Sequence, residues 1–340
     1  MRRLASPEIL FRTDILNMKL ITPIILLSLL LTSCSNDKPD SEVPVIGFLD
    51  FIQDPTIELA KQGFFDALKI HGYSEDSATI QVVYANAQGD IPTLGQSCDY
   101  IISKQPDLIG TNITLSTITA VKRTASIPIF MMVAPRPDIA GLLDKAGNAP
   151  LNLSGVYETL DYIDSAVVII KELVPNAKSI GTIYNQSEPQ SKDAFDVLQK
   201  KCNELGLELM ALPVNNSSEA QLVTQSLLAK QPDVFFALPD NVIFAAFETV
   251  AKACNEANVP IFTSEAGLVA RGALASFGAD FYYWGYQSGN MAAKYLMAGK
   301  KLLPVPEMVE VRRKVYNPET ASRFNVTPDS TFFPFNSGKQ

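Results

Sequence analysis

Side chains able to do covalent or proton chemistry are scarce in this 340-residue chain. The single histidine, His71, precedes Gly72 at the end of a helical pattern, the setting of a solvated cap residue rather than a catalytic base. A Ser-His-Asp triad elsewhere is therefore excluded. No GxSxG, HExxH, phosphate-binding loop or GxGxxG pattern occurs. Cys34, Cys98, Cys202 and Cys254 form no CxxC pair and have no metal-ligand spacing. Acidic residues are plentiful, but their spacing singles out no hydrolytic pair. The chain reads as a non-enzyme without cofactor or metal.

The elements that would position a binding site begin after a targeting segment. Lys19, the apolar run LITPIILLSLLLT (20–32), Ser33 and Cys34 have the build of a signal peptide. The run is short for a membrane span. LTSC (31–34) resembles a bacterial lipobox, which makes Cys34 the expected lipidation site and first mature residue. Residues 1–33 are thus expected to be removed, with Met18 an alternative start. Residues 34–43 are expected to form a polar, lipidated tether. Without residues 1–33 the cations fall by 4 to 24 and the acids by 2 to 34, so the formal charge moves from -8 to -10. Such an acidic surface argues against a nucleic-acid partner. Hydrophobic residues at 47% and charged residues at 19% indicate a globular chain, and its length suits two cores.

From Val45 onward, strand and helix patterns alternate. Strands are expected at 43–51, 78–86, 107–112 and 127–134, with helices at 57–73, 94–105 and 115–125 between them. The series restarts with strands at 178–185, 207–214, 233–240, 259–264 and 272–278 and helices at 191–206, 218–231 and 241–258. The tetrapeptide KQPD occurs at 104–107 and again at 230–233, each time where the second helix of a series gives way to the third strand. SIPIFMM (126–132) and NVPIFTS (258–264) echo one another at the fourth strand. Two echoes in the same order indicate a duplicated architecture. The expected fold is α/β, with two doubly wound parallel-sheet lobes joined by crossovers and a ligand cleft where strand ends face each other. The first lobe is expected to span 44–153 with a return of 283–325, the second 154–282, and a tail 326–340. If each sheet has the order 2-1-3-4-5, the helices carrying Cys202 and Cys254 cover opposite faces, and both thiols are free.

Several blocks carry a family resemblance. VPIFTSEAGLVARGALASFGADFYYWGYQSGNMAAKYLMAGK (259–300), YANAQGD (84–90), IGTIYNQSE (180–188) and LPDNVIFAA (238–246) resemble the ABC-transporter substrate-binding lipoproteins that include tryptophan- and tyrosine-binding members. The likeness covers about residues 44–325. It implies the type I periplasmic-binding-protein fold and capture of a small solute, most readily an aromatic or related amino acid, for an ABC permease and its ATPase. It also implies a periplasmic or cell-surface location, held to the membrane through the N-terminal lipid. The alternative is a solute-sensing lipoprotein that signals to a membrane partner.

The resemblance also suggests contacts. Thr114 and Ser116 match a Thr-Pro-Ser stretch at a helix start, where free amides and hydroxyls suit a carboxylate. Asn185 and Glu188 match an Asn-x-x-Glu turn. Asp240 and Asn241 match an Asp-Asn pair, and Asp240 is expected to hold an α-ammonium or to cap its helix. Glu265, and Phe51 and Tyr184 as stacking platforms, complete the expected set. The chain departs from the family at Arg136, where an acid is usual, which would favour an acidic solute if Arg136 reached the cleft. It departs again at Leu115 in place of Pro and Gln190 in place of Asn.

Overall fold

The computed structural model describes residues 43–335. The signal peptide, Met18 and Cys34 lie outside that range. The first series comprises β1 (Val45–Asp50), α1 (Pro55–Ile70), β2 (Gln81–Asn86), α2 (Ile91–Ser103), β3 (Leu108–Asn112), α3 (Thr114–Arg123), β4 (Ile129–Pro135) and β5 (Leu153–Glu158). The second comprises α4 (Tyr162–Leu173), β6 (Ser179–Tyr184), α5 (Pro189–Leu205), β7 (Glu208–Pro213), α6 (Ala220–Leu228), β8 (Val234–Ala237), α7 (Asn241–Glu256), β9 (Ile261–Thr263), α8 (Ala266–Ala270) and β10 (Ala275–Ala279). Then follow α9 (Phe281–Met297), β11 (Glu307–Met308), β12 (Arg312–Tyr316), α10 (Pro318–Arg323) and β13 (Phe333–Pro334).

Two sheets result. The first has the order β11-β5-β4-β3-β1-β2, the second β13-β12-β10-β9-β8-β6-β7. Both contain the order 2-1-3-4-5 of the doubly wound pattern, and every neighbour pair is parallel except β10 with β12. Asp54, Asp90, Asp240, Asp280 and Asn317 supply side-chain caps at the starts of α1, α2, α7, α9 and α10. Asp54 accepts from the amides of Thr56 and Ile57, with Pro55 in the first turn of α1. Gly206 ends α5 in the left-handed conformation.

The KQPD repeat does the same work in both lobes. Gln105 and Gln231 each adopt a left-handed backbone, with φ of 52° and 57°, which turns the chain out of its helix. The aspartate then ties the junction to the start of the lobe's first strand. Asp107 Oδ2 accepts from Val45 N at 2.8 Å, and Asp233 Oδ2 accepts from Lys178 N and Ser179 N at 2.8 and 2.9 Å. The duplicated letters are a duplicated strand anchor.

The lobe boundaries differ from the expected ones. Strand β5 pairs in parallel with β4, so residues 154–158 belong to the first sheet rather than opening the second lobe. The return to the first lobe is also shorter than 283–325. Helix α9 packs on α1 and β11 pairs with β5, but β12 joins β10 in the second sheet. The expected tail is partly structural, because β13 pairs with β12. The first lobe is therefore 43–158 with 281–309, the second 159–280 with 310–335, and the chain crosses between them three times. Cys98, Cys202 and Cys254 are free and buried. Burial raises their thiols to about 11, 12 and 12, which leaves them inert near neutral pH. His71 caps α1, and its Nε2 lies 3.0 Å from Asn290 Oδ1 on α9, so it has a structural partner rather than only solvent.

Helices α1 and α9 meet backbone to backbone. A Cβ at Gly285 would lie 1.8 Å from the carbonyl oxygen of Ala60. Gly285→Ala must push the helices apart and should destabilise the protein by at least about 1–3 kcal/mol. Thermal unfolding followed by circular dichroism should show a midpoint several degrees lower. An unchanged midpoint would mean that the helices can separate freely.

Candidate functional site

The carboxyl ends of both sheets converge on one narrow cavity of about 30 Å³. The first lobe contributes Ile113 and Thr114 at the start of α3, Val133–Pro135 from β4, Glu158 at the end of β5, and Phe281 and Trp284 from α9. The second lobe contributes Leu160 and Tyr162 from the crossover into α4, Gln190, Pro239, Asn241 and Phe244, and Glu265 ahead of α8. One wall is thus aromatic. Phe281 stands edge-on to both Phe244 and Trp284, with centroids 6.1 and 5.8 Å away. The Trp284 Nε1–H donates to Val156 O at 2.8 Å, which fixes the indole.

The backbone is strained around this cavity. Ile113, Val133 and Leu160 have φ of 68°, 50° and 65°, a left-handed region costly for non-glycine residues and most of all for β-branched ones. All three line the cavity. Ile113 is also the N-cap residue of α3 and has no side-chain acceptor to offer. The first turn of α3 therefore presents amides without a side-chain cap beside Thr114, a setting suited to an anion.

The acidic groups fall into two kinds. Asp240 is wholly consumed by the protein. Its Oδ1 accepts from Val242 N and Ile243 N at 2.8 and 3.2 Å, and its Oδ2 accepts from Asn185 N at 2.7 Å and from the Ser191 hydroxyl. This corrects the expectation that Asp240 holds a ligand cation; its role is the helix cap. Glu188 is buried behind the cavity wall. Its Oε2 accepts from Asn241 Nδ2 at 2.8 Å and from Gln190 Nε2, and its Oε1 from Asn185 Nδ2 at 3.3 Å. Burial, reinforced by the charge of Asp240, raises its carboxyl to about 8.

Glu265 differs. It is 1% exposed, and its Oε1 accepts from the Tyr162 and Ser264 hydroxyls at 3.3 and 3.1 Å. Its Oε2 has no partner. Burial, with a smaller push from Glu158, raises its carboxyl well above the usual range. Gln190 Oε1 and Ser116 Oγ are likewise buried without partners. The fourth carboxylate, Glu158, is neutralised by Arg312 through bonds of 2.8 and 2.7 Å.

Thr114, Asn241 and Glu265 therefore line the cavity, while Ser116, Asn185 and Glu188 stand behind its wall. Three expected contacts lie elsewhere. Phe51 is buried beneath the turn that its carbonyl forms with Gly89 N. Tyr184 stacks on Phe195 at 4.1 Å and 3°. Arg136 is half exposed and closes a bidentate pair with Asp138 at 2.7 and 2.9 Å, so it gives no reason to expect an acidic solute. The main lining residues missed from the sequence are Glu158, Tyr162, Gln190, Phe244, Phe281 and Trp284. Gln190 had a signal in its departure from the family, Phe281 and Trp284 stood in the quoted FYYWGY stretch, and Phe244 stood in the quoted LPDNVIFAA.

A family profile described as ABC transporter substrate binding protein matches residues 45–331. The chain belongs to this family. A tyrosine-binding protein of Clostridioides difficile (strain R20291) is 35% identical over 288 residues, which are 82% of each chain. Among solved structures, a domain from Streptococcus pneumonia in complex with L-Trp is 25% identical with a TM-score of 0.77, covering 85% of this chain and 97% of that one. A ligand-free, open substrate-binding protein with adhesive properties from Clostridium difficile is 27% identical but reaches only 0.63, covering 86% of this chain and all of that one. The fold is that of type I periplasmic binding proteins. Substrate-binding proteins of this kind work outside the cytoplasm, deliver a solute to a permease and are not enzymes. No helix among the described residues is long and apolar enough to cross a membrane.

The raised carboxyl of Glu188 has a consequence for stability. A carboxyl whose folded pKa lies above its unfolded value contributes stability below the unfolded pKa and loses it as pH rises through the folded one. Relative to Glu188→Gln, the wild type should lose stability between about pH 4.5 and 8. Urea unfolding of both proteins at pH 5 and pH 8 measures this; a pH-independent difference would mean that Glu188 is ionised throughout.

Proposed function

We propose that this binding protein captures an aromatic amino acid as the lipid-anchored receptor of an ABC importer. The observation that carries the reading is the unsatisfied polarity of the cavity. Buried acceptors without donors, Glu265 Oε2 and Gln190 Oε1, call for a ligand that brings N–H groups. The α3 amides without a side-chain cap call for a ligand that brings an anion. Phe244, Phe281 and Trp284 call for an aromatic side chain. A zwitterionic aromatic amino acid answers all three demands. The tyrosine-binding relative and the L-Trp complex support the same class.

In this reading Glu265 is protonated in the free protein and ionises when an ammonium group arrives, so binding releases a proton. Affinity should therefore rise with pH until the free protein itself loses the Glu265 proton, and level off above that point. Glu265→Gln should weaken L-tyrosine or L-tryptophan binding at least tenfold, about 1.4 kcal/mol, because a charge-assisted bond is lost. Titration calorimetry in buffers of different ionisation enthalpy measures affinity and proton release together. Equal affinity for wild type and variant would remove Glu265 from the site.

The lipobox-like LTSC supports anchoring through Cys34. Cys34→Ser should abolish labelling by a palmitate analogue and move the protein from the membrane fraction to the soluble one. Retained labelling would refute the anchor.

A further inference from the structure

Besides the Glu158–Arg312 junction, the two lobes touch at a second charged contact that does not line the cavity. We propose that Arg271 of the second lobe and Asp54 of the first form a latch that sets ligand affinity from outside the binding site. The proposal rests on the reading that the cleft captures a solute. Arg271 Nη1 donates to Asp54 Oδ2 at 2.6 Å and lies 3.4 Å from Thr56 Oγ1. The pair is well shielded, with side-chain exposures of 11% and 2%.

Each partner is held ready by its own lobe. Glu248 accepts from Arg271 Nε and Nη2 at 2.8 and 2.9 Å, and Phe244 O accepts from Nη2 at 2.9 Å. The guanidinium also lies 5.2 Å from the Phe247 ring. Asp54 Oδ1 is fixed by capping Thr56 N and Ile57 N. When the lobes part, neither side chain has to be ordered again to re-form the bond, so closure costs little side-chain entropy. The latch is also wired to the ligand. Phe244 lines the cavity and offers its carbonyl to Arg271, while Phe247 and Glu248 follow on the next turn of α7. A ligand that seats against Phe244 settles the turn that carries the latch.

The same contact leaves no space for a side chain at Gly267. A Cβ there would stand 2.3 Å from Thr56 Cγ2, across the lobe boundary. A larger residue at 267 acts as a wedge that only the closed arrangement feels.

Three single substitutions and one double variant test the latch with L-tyrosine as probe. Asp54→Asn keeps a good helix cap but removes the charge. Its ligand-free unfolding midpoint should stay in place, while affinity falls about tenfold through faster dissociation. Arg271→Gln should match it, and the double variant should be no weaker than either single one, the signature of a shared interaction. Gly267→Leu should weaken binding with an unchanged ligand-free midpoint. Wild-type affinity in Asp54→Asn, or additive losses in the double variant, would overturn the latch. If wild type binds no L-tyrosine, the choice of ligand fails separately, and small-angle scattering of the ligand-free protein decides the latch. A larger radius of gyration in Arg271→Asp than in wild type keeps it, and an equal radius rejects it.

Discussion

The structure depends on the buried ion pair between Glu158 and Arg312. Glu158 ends the fifth strand of the first sheet, and Arg312 begins the antiparallel strand of the second. Their bidentate bond therefore clamps two of the three crossovers at the point where the lobes must pivot. The third crossover is tied in by Asp280 N, which donates to Val311 O. The pair also carries an electrostatic burden. Glu158, Glu188, Asp240 and Glu265 are all buried around one cavity, and Arg312 neutralises the first of them. The others must be protonated or surrounded by donors. Asp240 takes the second course with four protein donors, whereas Glu265 is left with one oxygen empty. The unequal treatment of these acids leaves one buried acceptor open on a residue that lines the cavity.

Much of the fold was legible in the sequence because the physics there is local. Apolar runs alternating with helical spacing gave both sheets, and KQPD marked the same junction twice. The repeat held more than its letters suggested, since the left-handed glutamine and the aspartate that anchors a distant strand are tertiary facts. The lobe edges were not legible. Strand β12 is five residues long and half-buried, and it pairs antiparallel with a strand that ends over thirty residues earlier, so nothing near Arg312 announces which sheet it joins.

The site divided in the same way. Thr114, Asn241 and Glu265 follow directly on strands, where an open α/β sheet must place its ligand contacts. Asp240 occupies an equivalent position, and its sequence could not say whether cap or contact would prevail; two amides, a third from Asn185 and a hydroxyl decided it. Arg136 was misleading for a related reason, because Asp138 two residues on satisfies it locally. The strain at Ile113 and Val133 was invisible, since β-branched residues in apolar runs signal ordinary strand. That strain persists only because the surrounding packing overdetermines it.

Trp284 is the chain's single tryptophan, and it lines the cavity at 4% exposure. Indole emission depends on the polarity of its surroundings, and here one fluorophore samples one place. Opening of the cleft would wet that indole and shift its emission to the red, and refilling by a solute without an indole of its own would shift it back. The protein thus carries its own optical gauge of cleft hydration, readable in the native sequence without a label.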